Sequence, residues 1–248
     1  MKTNTLHNAL HVVFDLDDTL YAELDYVKSS FAFLAGIISN SYGSGDCENL
    51  VTELLELRRL GLSNPISALW DRLKLPESGL PEAVAAMRGH RPQIEPRDGV
   101  IDFLNILRQA DVKYSILTDG RSLTQRQKIA ALGLGDAAHI YISAERGVSK
   151  PAIEAFAQIV QDQPSIEKFV YVADNPSKDF VAPNQMDWLT IMLKDDGHHI
   201  HKQDLSLPMP MLPRISVKSF KELPQIFGFA STLFPGSQDA SGTAASAP

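Results

Sequence analysis

The chain is almost devoid of cysteine. Cys47 stands alone among 248 residues, which excludes an internal disulfide and a cysteine-based zinc site and suits a reducing compartment. No uninterrupted apolar run approaches the roughly 18 residues of a membrane span. The segment Met1–Asn8 has no long apolar region either, so a cytoplasmic location and no membrane partner are expected. Excess positive charge is also missing. Lys and Arg number 23 against 30 Asp and Glu, a net charge of -7, so a general nucleic-acid surface is not expected and the charge reads as a solubility device. No internal repeat is evident. What is left is ordinary: 44% hydrophobic and 21% charged residues, enough for one large domain or two small ones.

The most informative stretch runs from Val12 to Tyr21, V-V-F-D-L-D-D-T-L-Y. A short apolar run that ends in carboxylates predicts a buried parallel strand. Open α/β sheets bind ligands just past the carboxyl ends of such strands. At strand spacing Asp15 and Asp17 share a side and Leu16 faces away. Two carboxylates so close call for a cation or a shared proton, and Mg²⁺ is the natural hard ion for oxygen donors. A lone Asp-x-Asp would more often be a solvated acidic turn, so its partners have to be sought downstream.

From Leu24 to Arg88 the pattern is helical, with apolar positions at Leu24, Val27, Phe31, Leu34 and Ile38, repeated over Leu50–Leu60, Ile66–Leu73 and Pro81–Arg88. Pro65 and Pro81 are placed as helix starters. No strand is expected between Tyr21 and Glu95, so about four helices interrupt an α/β pattern. Beyond them, apolar strands alternate with helices. Tyr114–Leu117 leads to Thr118-Asp119-Gly120, a strand-to-helix turn whose hydroxyl and amides suit an anion. A helix over Leu123–Leu132 and a strand over Ile140–Ser143 precede Ser149-Lys150-Pro151. Phe169–Ala173 ends in Asp174-Asn175-Pro176-Ser177-Lys178-Asp179. Leu189–Leu193 is a fifth strand, Ile215–Val217 an edge strand, and Phe220–Phe227 a closing helix. The run Asp195-Asp196-Gly197-His198-His199-Ile200-His201 lacks ordered zinc-site spacing and is expected to be an exposed loop. From Ser231 onward small polar residues suggest a disordered tail.

Taken together, Asp15-x-Asp17-x-Thr19-Leu20, Thr118, Lys150 and the Asp174/Asp179 pair stand in the order of the four motifs of the haloacid dehalogenase-like superfamily, which this chain resembles over roughly residues 10–228. The resemblance implies an α/β fold: a three-layer Rossmann-like core with a central parallel sheet, the Asp15 strand lying between those of Thr118 and Asp174. It implies an all-helical cap at 22–95 inserted into a core formed by 1–21 and 96–230, with 231–248 as the tail. Two departures are mild: Asp119 where many relatives carry Asn, and Ala173 where many carry Gly.

The implied activity is that of a hydrolase, a phosphatase working through an aspartyl-phosphate. Asp15 is the implied nucleophile and Asp17 the acid–base. Mg²⁺ is the implied cofactor, held by the Asp15 carboxylate, the Asp17 carbonyl and Asp174, with Asp179 touching it through water or orienting Lys150. Thr118, Asp119, Gly120 and Lys150 are expected to hold the phosphate. Arg121 and Gln125 are candidates for the leaving group, as are Tyr21, Glu23, Tyr26 and Lys28 beside the expected cap; each of these four reads more simply as part of a solvated helix start. Asp17 disfavours dehalogenation, because relatives that cleave carbon–halogen bonds lack a carboxylate there. A phosphomutase, a nucleotidase or a silent binding module are the alternatives. A small phosphomonoester is the expected partner. A sugar phosphate comes first, because the Thr118–Arg121 and Ala173–Phe180 segments look similar to bacterial relatives associated with surface-sugar biosynthesis. The sequence does not fix the substrate, the oligomeric state or the role of the histidine-rich loop.

Overall fold

The computed structural model describes residues 10–228; the first nine residues and the expected tail at 231–248 lie outside them. Six parallel strands form one sheet: β1 Leu10–Phe14, β2 Lys113–Thr118, β3 His139–Ile142, β4 Lys168–Ala173, β5 Leu189–Leu193 and β6 Ile215–Val217. Their spatial order is β3-β2-β1-β4-β5-β6. The chain leaves β1 toward β2 on one side and later returns to the other side as β4, so the switch point lies at β1. Phe14 pairs with Ile116 of β2 and Val172 of β4, and the Asp15 amide continues the ladder to the Val172 carbonyl at 2.9 Å. This register sets Asp15, Thr118 and Asp174 at one edge, where such sheets bind ligands.

The strands are nearly continuous apolar runs because both faces are covered. On one face α5 (Val100–Gln109) and α6 (Ser122–Ala131) pack over Val12, Phe14, Tyr114, Ile116 and Val172. On the other, α8 (Ile153–Asp162) and the five-residue α9 (Val181–Gln185) pack over Val13, Leu117, Tyr171 and Met192. Phe156 meets the Tyr171 ring edge-on at 5.1 Å.

Between β1 and β2 lie α1 (Glu23–Tyr42), α2 (Cys47–Arg59), α3 (Pro65–Arg72) and α4 (Leu80–Arg88). They enclose an apolar cluster of their own, built on Phe31, Leu34, Ile38, Leu54, Leu69 and Trp70; among the described residues beyond β2 only Ile200 joins it. Local chemistry sets their ends. Gly43 adopts φ 60° and closes α1. The Asp46 carboxylate caps α2 by accepting from the Glu48 and Asn49 amides. Asn64 caps α3, with Pro65 in its first turn.

Some boundaries differ from the sequence reading. Ser143 opens a four-residue helix, α7 (Ser143–Arg146), because its hydroxyl accepts from the Gly120 amide at 3.0 Å instead of extending β3. The closing helix divides into a 3-10 turn at Phe220–Glu222 and the short α10 at Leu223–Ile226, since Pro224 has no N–H with which to continue a longer helix.

Candidate active site

Asp15 leaves β1 almost fully buried, and Lys150 reaches it from the loop after α7. The Lys150 ammonium lies 2.8 Å from Asp15 Oδ1 and 2.8 Å from Asp179 Oδ1, and it also donates to the Tyr171 hydroxyl at 3.1 Å. Burial alone would lower Lys150, but the Asp15 and Asp179 carboxylates more than offset it and hold the amine well above its usual range. Burial pushes Asp15 up to about 7, and Asp179 and Asp174 add to the shift against the pull of Lys150. Asp179 also accepts from the Asn175 amide at 2.9 Å and from the Tyr171 hydroxyl at 3.2 Å, so the loop after β4 is folded around its carboxylate.

Asp174 stands at the end of β4. Thr19 Oγ1 donates to it at 3.3 Å, and burial beside Asp179 raises its carboxyl. Oxygen atoms of Asp15, Asp174 and Asp179 lie within 4.8 Å of one another, all three residues buried. Lys150 pairs with two of these three buried carboxylates, Asp15 and Asp179, which leaves negative charge at the cluster. An all-oxygen donor set of this kind fits a hard divalent cation.

Asp17 lies outside that group, held by donors. Gln125 Nε2 donates at 2.9 Å and Lys128 Nζ at 2.7 Å, and the Tyr21 hydroxyl makes a third short bond. Burial would raise Asp17, but Lys128 outweighs it, with help from Tyr21 and Gln125, and the carboxyl stays below its usual range. Lys128 is itself buried, its ammonium 4.2 Å from the centre of the Tyr26 ring. Gln125 also donates to Thr118 Oγ1 at 2.6 Å. Glu23, the first residue of α1, is half-buried; burial and the nearby Asp17 push it up to about 7.

Other expected site residues fall as follows. Asp119 accepts from the Lys150 amide at 3.2 Å and so fixes the lysine's loop. The Gly120 amide is occupied by Ser143, which leaves fewer free amides at this turn than the motif suggests. Gly120 has φ 144° and passes so close to Gln125 that an added Cβ would sit 3.1 Å from its side-chain Cδ. Arg121 is exposed. Asp18 serves structure: it accepts from the Glu23 amide at 2.9 Å and the Ile200 amide at 2.7 Å.

The histidine-rich loop corrects the sequence reading. His198 and His201 are exposed as expected, but the His199 side chain is buried, with Nδ1 3.5 Å from Asp174 Oδ2. Ile200 pulls the loop inward by packing on the helical cluster, and Gln203 Nε2 anchors it to the carbonyls of Asp174 and Leu193, each at 2.8 Å. Sequence reasoning also missed Lys128 and Tyr171. Lys128 stands three residues after Gln125, hence on the same helix face, but that spacing alone does not show that Asp17 and the Tyr26 ring enclose it.

Residues 10–187 match the family model for haloacid dehalogenase-like hydrolases. A glyceraldehyde 3-phosphate phosphatase from Methanopyrus kandleri is 28% identical over 195 residues, 74% of this chain and 83% of that one. Among solved structures, the magnesium-bound HAD hydrolase YfnB of Bacillus subtilis aligns with TM-score 0.62 at 17% identity, over 87% of this chain and 97% of its own. A HAD phosphatase from Thermococcus onnurineus gives 0.56 at 18%, covering 88% and 97%. A 2-haloacid dehalogenase from Pseudomonas syringae pv. Tomato DC3000 gives 0.58 at 19%, also covering 88% and 97%. The same fold thus carries more than one chemistry.

Proposed function

The chain belongs to the haloacid dehalogenase-like hydrolases, and from that membership we propose that it is a Mg²⁺-dependent phosphomonoesterase for a small phosphorylated metabolite, a sugar phosphate before a nucleotide. The observation that carries this reading is the arrangement around Asp15: Lys150 at 2.8 Å on one side, Asp174 and Asp179 beside it, and Asp17 two residues on, held by Lys128, Gln125 and Tyr21. The phosphatase relative from Methanopyrus kandleri supports a phosphorylated sugar-like substrate.

In this reading an Asp15 oxygen attacks phosphorus and the ester oxygen leaves. Lys150 neutralises part of the charge that otherwise sets Asp15 against an anionic substrate. Thr118 and the turn after it hold the equatorial oxygens. Asp17 gives the leaving oxygen its proton; it takes that proton up from solvent as the bound substrate displaces one of the three donors that otherwise keep it ionised. Asp17 then takes a proton from the water that attacks the aspartyl-phosphate, which frees phosphate and regenerates Asp15. Asp15, Asp174 and the Asp17 carbonyl would hold Mg²⁺, with Asp179 at its edge or orienting Lys150, and the bound ion supplies charge neutralisation between nucleophile and phosphate.

Asp17 also separates this chain from the dehalogenases that share its fold, since a departing halide needs no proton. The α1–α4 module, residues 22–95, serves as the cap over this edge, and its closure would exclude macromolecular substrates. Steady-state hydrolysis of p-nitrophenyl phosphate with and without Mg²⁺ is the direct test. Metal-dependent turnover that is lost in Asp15→Ala is the expected result; wild-type rates in that variant would refute the reading.

A further inference from the structure

Beside Asp17, Lys128 of α6 links the core to the start of the α1 module, spanning 2.7 Å to Asp17 and 4.2 Å to the Tyr26 ring. Glu23 is three residues before Tyr26 and therefore on the same face of α1. Its amide is tied to Asp18 at 2.9 Å, which fixes the start of the helix. Its carboxylate, by contrast, has no hydrogen-bond or ion-pair partner among the described residues, although it is half-buried.

The charges that face Glu23 are accounted for. Lys128 is already paired with Asp17. Asp18 adds negative charge, with Arg97 3.8 Å away from it and bound more closely, at 2.6 Å, to Asp196. Lys178 interacts more strongly with Lys150, Asp15 and Asp179 than with Glu23. Glu23 therefore presents a carboxylate with free lone pairs in a negative field. A half-buried carboxylate without a protein donor has acceptor capacity to spare, and a ligand that brings O–H or N–H groups can use it.

We propose that Glu23 is a specificity-determining residue: it accepts a hydrogen bond from a hydroxyl or ammonium group of the leaving alcohol and rejects leaving groups that carry a second anionic group. This rests on the phosphatase reading above and narrows its substrate class to neutral or amino alcohols. The ester oxygen would lie at Asp17, and the donor one or two carbons further along would lie at Glu23. Like charges brought together in a desolvated cleft are strongly disfavoured, so acidic phosphomonoesters should be poor substrates even when their size fits.

The test compares kcat/KM at about pH 8.5, where Glu23 is ionised, for glycerol 3-phosphate and 3-phosphoglycerate, which differ by a hydroxymethyl group against a carboxylate, in the wild-type enzyme and in Glu23→Gln. O-phosphoethanolamine is run as the ammonium probe and p-nitrophenyl phosphate as the control. The wild-type enzyme is expected to favour glycerol 3-phosphate or O-phosphoethanolamine over 3-phosphoglycerate by about tenfold to hundredfold, the better of the two assigning the donor. Glu23→Gln, which keeps the backbone bond to Asp18, should reduce that preference at least tenfold, and Glu23→Lys should invert it. A wild-type preference below tenfold, or one that survives Glu23→Gln, overturns the assignment. Turnover of p-nitrophenyl phosphate alongside such a failure leaves the phosphatase reading standing; no turnover of any of these esters overturns both.

Discussion

Lys128 Nζ lies 2.7 Å from Asp17 Oδ1, and only 4% of the lysine side chain is exposed. The pair joins a core helix to the turn after β1, so the orientation of Asp17 depends on a residue 111 positions away. A buried charge-assisted hydrogen bond of this kind is worth about 1.5–3 kcal/mol. Lys128→Met should therefore lower kcat/KM for p-nitrophenyl phosphate roughly tenfold to hundredfold, with Lys128→Arg recovering part of the loss. Equal rates in all three proteins would show that Asp17 is positioned without it.

The three-carboxylate cluster leads to a metal prediction that does not depend on turnover. A ligand present at a hundred times its dissociation constant stabilises the folded state by roughly 2.7 kcal/mol, about 5–10 °C in melting temperature for a chain of this size. Added Mg²⁺ should produce such a shift in the wild-type protein, and Asp174→Asn should remove most of it. A wild-type melting curve insensitive to Mg²⁺, or an equal shift in the variant, would contradict the assignment of Asp174.

The helical module should also behave as a unit. Leu54 is fully buried within its apolar cluster, so Leu54→Ala should cost about 2–5 kcal/mol. Because that cluster is separate from the two that cover the sheet, the loss should appear in calorimetry as an earlier transition ahead of the main one. A single transition shifted as a whole would mean that module and core unfold together.

His11 gives a pH prediction. It is fully buried, with Nε2 2.8 Å from Ser115 Oγ and 2.9 Å from Gln163 Nε2. Burial, aided by His139, lowers it to about 4. Above its ordinary value near 6.5 both folded and unfolded forms are neutral and nothing is lost; below it the unfolded chain takes up the proton first, so stability falls until the folded form titrates as well. Between pH 7 and 4.5 this removes about 2–3 kcal/mol. Raised acids such as Asp15 and Glu23 work in the opposite sense, but they are common to both proteins in a comparison with His11→Gln. Denaturant unfolding at the two pH values should show a smaller acid loss in the variant; identical losses would exclude His11 as the cause.

Much of this was legible in the sequence because parallel strands buried on both faces are written as short apolar runs. Val12–Phe14, Tyr114–Leu117 and Phe169–Ala173 end at the carboxylates and hydroxyl that the fold brings to one edge. Lys128 was not legible, since a lysine on an amphipathic helix reads as solvated until the Tyr26 ring and Asp17 are seen to enclose it. His199 was hidden for a related reason: its loop looks polar throughout, and the inward pull comes from Ile200 and Gln203, whose partners lie far away in sequence. The break in the closing helix, by contrast, was written in Pro224 and could have been read from it.

The central claim is that Asp15 becomes phosphorylated during turnover. In Asp17→Asn the second step lacks its base, while p-nitrophenolate leaves with little help from an acid, so the phosphorylated enzyme should accumulate. Acid-quenched digests of that variant, mixed with p-nitrophenyl phosphate and Mg²⁺, should show the added mass of one phosphoryl group on the peptide that holds Asp15, and none when Asp15 is replaced by Ala. Sustained hydrolysis with no phosphate on Asp15, or with phosphate on another residue, would contradict the account.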